Sequence, residues 1–368
     1  MKKNKLLFVI GAAVLIGLVS LWVYKVQNQG ASDDVIRIGA ILPLTGVSSD
    51  LAAPMMCAMK VAEEELNDTI PEGQKKIEVV YEDGKSISAA TISAYQSLIR
   101  KGVSACIVFG DVQCYNLAAT VNEMPCPTIA LSAAAENIPS LSPHYFRAWT
   151  TTRDSCARLA EFAHKDLSLS RFAVLAINNN FGDEAEKTVR MYAHDAGIDV
   201  VSETFEIGAQ DVRGQINKML VDHPDAIFVF GFGPGYITVF NQLKEAGYSG
   251  AILTDEVITI PGYAEKIIDG AKGVYFSSTE FDPNNDKSLY YVRFVRPFVD
   301  RYSNLPNAHS AFAYFSVITI GHAIELSKRY GTSIEDALVD MGEFSSVIGE
   351  AKFDNRGELI TTIYIRRK

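Results

Sequence analysis

The sequence is poor in positive charge, histidine and cysteine. Its 368 residues carry 34 lysines and arginines against 44 aspartates and glutamates, with six histidines and five cysteines. This acidic balance argues against nucleic acid or an anionic membrane surface as a partner. An odd number of cysteines leaves at least one thiol outside any pairing within the chain. Cys106 and Cys126 each begin a predicted strand, so we expect both to be buried as small apolar residues. A disulfide between them is the alternative if those two strands are neighbours.

Motifs for catalysis and for metal or cofactor binding are also missing. The chain has no phosphate-binding G-x-x-x-x-G-K-[ST], no G-x-S-x-G nucleophile turn, no C-x-x-C and no histidine pair at helical spacing. Residues 231–236, GFGPGY, are similar to a dinucleotide-binding turn, but Tyr236 stands where the third glycine is required. We therefore predict a protein that is not an enzyme, with no catalytic residue, no metal and no cofactor.

The first 31 residues differ in composition from the rest of the chain. Three lysines among the first five residues precede an apolar run at residues 6–24, and Lys25 follows it. A basic flank before an apolar run is typical of an export signal, and this run exceeds the usual cleavable core of about 7–15 residues. We predict that residues 1–31 are a signal peptide or an uncleaved membrane anchor. The remainder would then lie in the periplasm or at the cell exterior.

Beyond residue 32, short apolar runs alternate with longer amphipathic segments. The runs VIRIGAIL, IEVVYED, ACIVFG, RFAVLAIN and DAIFVFG predict strands. Helices are predicted over residues 51–67, 87–102, 116–124, 181–196, 234–246 and 309–330. Such alternation is typical of folds in which helices cover both faces of parallel sheets. The predicted fold class is therefore α/β.

Polar or small residues follow several of the predicted strands. They lie at residues 43–46, 110–111, 132–134, 178–180 and 231–233. In open parallel sheets, ligands bind beyond the carboxyl ends of the strands, where turns and helix N-termini are exposed. The loop at 132–134 has little side-chain bulk, so we expect its backbone N–H groups to face a ligand.

Several stretches then follow one another in a characteristic order and spacing. They are IRIGAILPLTG at 36–46, IEVVYEDGKS at 77–86, Phe181 with Gly182, LKEAG at 243–247, GAKGVY at 270–275, and Phe353 with Asp354. In these stretches the chain resembles the leucine/isoleucine/valine-binding (type I) branch of the periplasmic solute-binding proteins of ABC importers. The resemblance extends over nearly all of the chain after residue 34.

This resemblance implies a fold of two α/β lobes, each a parallel sheet flanked by helices, joined by three crossings. The expected first lobe combines residues 35–148 and 278–346, and the second combines residues 149–277 and 347–368. A small molecule would bind in the cleft and draw the lobes together. The closed form would then be recognised by an ABC permease in the cytoplasmic membrane.

The resemblance also implies a set of ligand-binding residues. The first lobe would contribute Leu51, Cys114, Ser132, Ala133 and Ala134, and the second would contribute Phe181, Phe232 and Glu256. In the amino-acid-binding relatives several of these positions carry hydroxyl groups, so this lining is less polar. We therefore predict a hydrophobic or aromatic ligand with one polar anchor, met by the loop N–H groups or by Glu256. Leucine, isoleucine and valine should bind weakly.

Two other functions stay open on this evidence. One is a membrane-anchored sensor of the same fold that signals to a protein partner instead of supplying a permease. The other is a true amino-acid binder, in which other groups replace the missing hydroxyls. Both keep the predicted fold and cleft.

Overall fold

The computed structural model describes residues 35–46, 48–260 and 262–368. The predicted signal peptide or anchor at residues 1–31 lies outside these described residues. Within them, no helix combines the length and the apolar character that crossing a bilayer requires.

A first sheet is formed by strands from the N-terminal part of the chain. These are β1 (Val35–Leu42), β2 (Lys76–Asp83), β3 (Ala105–Phe109), β4 (Thr128–Leu131) and β5 (Tyr145–Ala148). They are all parallel, in the order β2-β1-β3-β4-β5. Along β1, Ile38 and Leu42 pack into one core and Ile41 into another, since successive side chains point to opposite faces. Burial on both faces explains why these strands are continuous apolar runs.

A second sheet repeats this arrangement. Its strands are β6 (Arg171–Ile177), β7 (Asp199–Phe205), β8 (Ala226–Phe230), β9 (Ala251–Thr254), β10 (Tyr275–Ser278) and β14 (Tyr364–Arg367). Their order is β14-β10-β9-β8-β6-β7, parallel except for β14, which runs antiparallel to β10. Along β8, Ile227 and Val229 pack on one face, and Phe228 and Phe230 on the other. This sheet is therefore also buried on both sides.

A small antiparallel sheet lies between the last two crossings of the chain. It consists of β11 (Phe344–Ser346), β12 (Gly349–Phe353) and β13 (Leu359–Thr361). The chain passes between the cores of the two large sheets three times, after β5, after β10 and after β13. Three crossings are what the resemblance implied.

Helices cover both faces of each large sheet. They are α1 (Ala52–Thr69), α2 (Ser88–Arg100), α3 (Asp111–Glu123), α4 (Thr152–Glu161), α5 (Asn180–Asp195), α6 (Arg213–Leu220), α7 (Gly233–Glu245), α8 (Arg296–Tyr302), α9 (Ala308–Tyr330) and α10 (Ile334–Asp340). Short 3₁₀ segments lie at Ser49–Leu51, Pro139–Leu141, Glu256–Thr259, Ala264–Lys266 and Ile268–Ala271, and π segments at Phe162–Asp166 and Tyr291–Val295. The predicted α/β class with helix-flanked parallel sheets is confirmed.

One segment differs from the expected division into lobes. Residues 347–353 were expected in the second lobe, but Val347, Ile348 and Phe353 are buried in the core of the first sheet. Phe353 packs edge-to-face on Phe146 of β5, with ring centroids 5.4 Å apart. Only β14 returns to the second sheet, so we propose a final boundary between β13 and β14. The other lobe boundaries stay predictions.

Candidate ligand-binding site

A cavity of about 170 Å³ lies between the carboxyl ends of the two sheets. From the side of the first sheet it is lined by Asp111, Ser132, Ala134, Trp149 and His309, here called the first-lobe wall. From the side of the second sheet it is lined by Phe181, Phe232, Asp255 and Glu256, here called the second-lobe wall. Residues 150–152, Ser155 and Cys156 at the start of α4 complete the lining with Val257 and Ser277. The cavity therefore lies where strand ends of parallel sheets usually hold ligands.

A wider groove, of about 820 Å³, lies elsewhere, on the outside of the first lobe. It is lined by residues of α1 and α9 with parts of the segments 290–297 and 341–347, all of which belong to one lobe. Movement of the lobes would not close it. The cavity between the sheets is the better candidate because both lobes contribute to it.

Five of the eight predicted binding residues lie together in this cavity. They are Ser132, Ala134, Phe181, Phe232 and Glu256. Leu51, Cys114 and Ala133 do not line it. Leu51 ends a 3₁₀ segment and packs against the first core. As ligand contacts, the five cavity residues stay predictions.

Cys114 is held away from the cavity by the start of α3. This helix begins at Asp111, not near residue 116 as predicted, and Cys114 points from its first turns into the core. The thiol is fully buried and donates to the Val108 carbonyl, with a distance of 3.6 Å. Burial raises the pKa of the Cys114 thiol far above its ordinary value. The residue that this helix start places in the cavity is Asp111.

Ala133 is fully buried and belongs to the support of the loop. Its carbonyl accepts a hydrogen bond from the guanidinium of Arg147, which is itself fully buried. Arg147 Nε also pairs with Glu358 Oε2 at 2.7 Å. The loop of small residues is therefore held from below by a buried ion pair between β5 and the turn before β13.

The backbone N–H groups at the end of this loop are turned to the protein's own carboxylate. Ala135 N donates to Asp111 Oδ1 at 2.8 Å, and the Ala134 N–H also stabilises the Asp111 carboxylate. Ala135 N lies just beyond residues 132–134, so for those three residues the expectation that N–H groups face a ligand stays a prediction. Burial nevertheless raises the pKa of Asp111, because desolvation outweighs these donors.

His309 enters the first-lobe wall from the first turn of α9. Its Nδ1 lies 2.8 Å from Ser132 Oγ, and its ring stacks on Trp149 with centroids 4.8 Å apart and 15° between the planes. Burial lowers the pKa of His309 to about 4, so the imidazole is neutral near pH 7. The Ser132 hydroxyl is therefore engaged by a neutral partner within the wall.

Two adjacent acids from the turn after β9 form the base of the second-lobe wall. Asp255 caps the following 3₁₀ segment by accepting from Val257 N at 3.2 Å. Glu256 is only 8% exposed, and its Oε2 has no hydrogen-bond partner among the described residues. Burial raises the pKa of Asp255 to about 7 and that of Glu256 to about 8. An unpaired buried acid is costly, so this position suits a ligand that brings a donor.

Phe181 and Phe232 form the apolar part of the second-lobe wall. Phe181 lies in the first turn of α5 and Phe232 is the N-cap residue of α7, with ring centroids 6.5 Å apart. With Trp149 opposite, the cavity presents aromatic surfaces from both lobes. Such surfaces favour an apolar or aromatic ligand body. Within the described residues there is no cluster of three or more potential ligands for a metal ion.

Comparison with known proteins identifies the family. Residues 35–367 match the family model of the periplasmic binding proteins. The chain belongs to that family. Members are exported binding proteins and not enzymes, which confirms the prediction that this chain has no catalytic activity. A comparison with curated protein sequences gave no match.

Solved structures with the same fold include proteins with different ligands. The leucine-binding protein LivK of Thermotoga maritima is 22% identical over 91% of this chain and 95% of its own, with a TM-score of 0.78. LivJ of Streptococcus pneumoniae, in complex with isoleucine, is 21% identical over 91% and 96%, with a TM-score of 0.77. An ABC-transporter solute-binding protein of Rhodopseudomonas palustris BisB5, in complex with 3,4-dihydroxybenzoic acid, is 22% identical over 91% and 93%, with a TM-score of 0.77. At these identities the likeness establishes the fold.

Proposed function

We propose that this periplasmic binding protein captures a small molecule with an apolar or aromatic body and one polar anchor, and delivers it to the permease of an ABC importer. The observation that carries the proposal is the cavity between the sheets, with aromatic rings from both lobes and one unpartnered acid, Glu256. Relatives of the same fold are transporter proteins with isoleucine or 3,4-dihydroxybenzoic acid bound.

Binding in this cavity would stabilise the closed arrangement of the lobes. A ligand that contacts Trp149 and Phe232 together binds the closed state more tightly than the open one, and so shifts the population towards it. The three crossings after β5, β10 and β13 are the places where the chain can bend. The permease would then distinguish loaded from empty protein by the closed surface.

Leucine and its branched relatives are poor candidates for the ligand. Cys114, a predicted binding residue with a thiol in place of a hydroxyl, is buried in the core, and the Ser132 hydroxyl is engaged by His309. Each hydrogen bond to a charged group contributes about 1.5–3 kcal/mol, so the loss of two lowers affinity by about 10²–10⁴. Micromolar or tighter binding of leucine would contradict this part of the proposal.

Thermal-shift screening of small amines, acids, aromatic compounds and amino acids tests the function. We expect at least one class to raise the melting temperature, by an amount that keeps rising with the logarithm of ligand concentration above the Kd. Calorimetry should then give one site per chain, and small-angle scattering a smaller radius of gyration with ligand. If no compound of the library binds, the proposed capture mechanism is contradicted. An unchanged radius of gyration with a verified ligand would contradict it as well.

A further inference from the structure

Charged residues in the cavity are all of one sign. Asp111, Asp255 and Glu256 line it, whereas no lysine or arginine does so among the described residues. His309 is kept neutral by burial. Two like charges about 4 Å apart near a protein surface repel by about 4 kcal/mol. A ligand carboxylate would therefore meet repulsion wherever these acids are ionised, and among the described residues no lysine or arginine of the lining would pair with it.

Several backbone donors around the cavity are engaged within the protein. Ala135 N donates to the Asp111 carboxylate at 2.8 Å. At the start of α4, Thr152 N donates to the Ala134 carbonyl at 3.1 Å, and Asp154 N donates to Thr151 Oγ1 at 2.9 Å. A carboxylate at a helix start or strand-end loop is normally held by such N–H groups. In this protein the Asp111 carboxylate accepts from such an N–H group in place of a ligand carboxylate.

The second-lobe wall contains an acid that lacks a hydrogen-bond donor. Glu256 Oε2 is buried and unpartnered among the described residues, and the side chain lines the cavity. An ammonium group supplies both a counter-charge and hydrogen-bond donors, which a neutral hydroxyl supplies only in part. Phe181 and Phe232 lie in the same wall, and aromatic faces attract cations within about 6 Å of the ring.

We propose that the ligand is an organic ammonium ion that lacks a carboxylate, anchored by Glu256 with Asp255 beside it, while Asp111 fills the place of a ligand carboxylate. This inference rests on the proposed function and specifies its ligand class. The body of the ligand packs against Phe181, Phe232 and Trp149. Amino acids are then disfavoured by their carboxylate, not by their side chain.

Calorimetry with matched probes on the unmodified protein tests this inference. One set shares a phenyl ring: 2-phenylethylamine, 3-phenylpropionate and L-phenylalanine. A second set shares a branched alkyl body: 3-methylbutylamine, 4-methylpentanoate and L-leucine. At pH 8.5 we expect an amine of at least one set to bind at least about tenfold more tightly than its acid and its amino acid, the equivalent of one charge-assisted hydrogen bond.

A substitution locates the anchor. Glu256→Gln should remove the preference for the amine, whereas Glu265→Gln, which removes an exposed acid of the same lobe, should leave it unchanged. Circular dichroism checks that the variants are folded, and the comparison of probes on the unmodified protein does not depend on them.

Each outcome of this experiment decides one of two questions. Tighter binding of an acid or an amino acid than of its matched amine would overturn the ammonium inference and leave small-molecule capture standing. Failure of all six probes up to about 10 mM, equivalent to less than about 3 kcal/mol of binding free energy, would also overturn the inference. The proposed function itself would fail only if the wider screen gave no ligand.

Discussion

The two walls of the cavity differ in how their polar groups are satisfied. In the first-lobe wall, Asp111 accepts from the loop backbone, and Ser132 and His309 bond to each other. In the second-lobe wall, Glu256 keeps a buried oxygen without a partner among the described residues. Asp111, Ser132 and His309 therefore have partners without a ligand, whereas this oxygen of Glu256 has none.

This difference assigns different roles to the two lobes. Groups that already bond to each other add rigidity and shape but offer little new energy to a ligand, because any new bond replaces an existing one. An unpartnered buried acid gains both a hydrogen bond and a counter-charge when a cation arrives. We infer that the first lobe provides a fixed surface and the second lobe selects the chemical class of the ligand.

Removing the support of the first-lobe wall should have the largest effect, and it should act on stability. Glu358→Ala leaves the fully buried Arg147 without its counter-ion. The ion pair is largely shielded from water, because only 20% of the Glu358 side chain is exposed. Loss of one partner of a buried pair costs about 3–5 kcal/mol. We expect the free energy of unfolding, measured by urea titration, to fall by about this amount.

The control for this variant is an exposed ion pair near the same loop. Glu136→Ala breaks the pair with Arg153, whose side chains are 28% and 48% exposed respectively, and should cost less than about 1 kcal/mol. Equal losses in the two variants would mean that the buried pair does not support the first-lobe wall.

Removing Asp111 from the first-lobe wall should change ligand selectivity, with a smaller free-energy effect than the Glu358 variant has on stability. Asp111→Ala frees the N–H group of Ala135 and removes one negative charge. We expect the affinity for L-phenylalanine, measured by calorimetry, to rise about tenfold or more, because each new bond to the ligand carboxylate contributes about 1.5–3 kcal/mol.

Asp183→Ala is the matched control for the Asp111 variant. Asp183 is an exposed acid in the first turn of α5, as Asp111 is an acid in the first turn of α3, but it does not line the cavity. This variant removes the same charge from the first turn of a helix, although Asp183 is the fourth residue of α5 and Asp111 is the first of α3. A gain for L-phenylalanine in both variants would indicate a general charge effect and not an opened subsite.

Much of the fold could be predicted because each strand is a short apolar run that ends in turn residues. The run VIRIGAIL coincides with β1 at both ends, Val35–Leu42. The start of α3 could not be predicted in the same way. Asp111 follows Gly110, which has a φ of 92°, and the segment has no side-chain cap. The helix begins directly where the chain leaves β3. Its first residue is therefore set by tertiary packing and not by a local capping signal.

The same contrast holds for the site. Ser132, Phe181, Phe232 and Glu256 each lie at or just after a strand end, so their convergence follows from the parallel sheets. His309 lies 177 residues from Ser132 in the sequence, at the start of α9. The element directly before α9 is the helix α8 and not a strand. No local pattern indicates that contact. It is the contact that engages the predicted hydroxyl.

Binding to the second-lobe wall should depend on pH, whereas His309 of the first-lobe wall should not contribute to this dependence. Burial raises the pKa of Asp255 to about 7 and of Glu256 to about 8, and a cation favours their ionised forms. Below these values a proton must leave before the ammonium ion binds, so affinity falls as the pH falls. His309, with a pKa of about 4, stays neutral throughout this range.

Calorimetry with 2-phenylethylamine at pH 6.5 and 8.5 checks the sign. We expect about tenfold or more tighter binding at pH 8.5, since one unit of pKa shift corresponds to about 1.4 kcal/mol. The Glu256→Gln variant should show a clearly weaker pH dependence. Tighter binding at pH 6.5 would mean that a group other than these two acids governs the anchor.

The smallest expected effect comes from the aromatic part of the second-lobe wall. Phe232→Leu keeps an apolar side chain but removes the ring that faces the cavity near Phe181. Ring contacts contribute about 0.5–1.5 kcal/mol beyond simple burial, so affinity for 2-phenylethylamine should fall about two- to tenfold. 3-Methylbutylamine has no ring to stack, so its affinity should fall less. If calorimetry gives equal losses for the two amines, Phe232 provides only apolar area, and the acids alone select the ligand class.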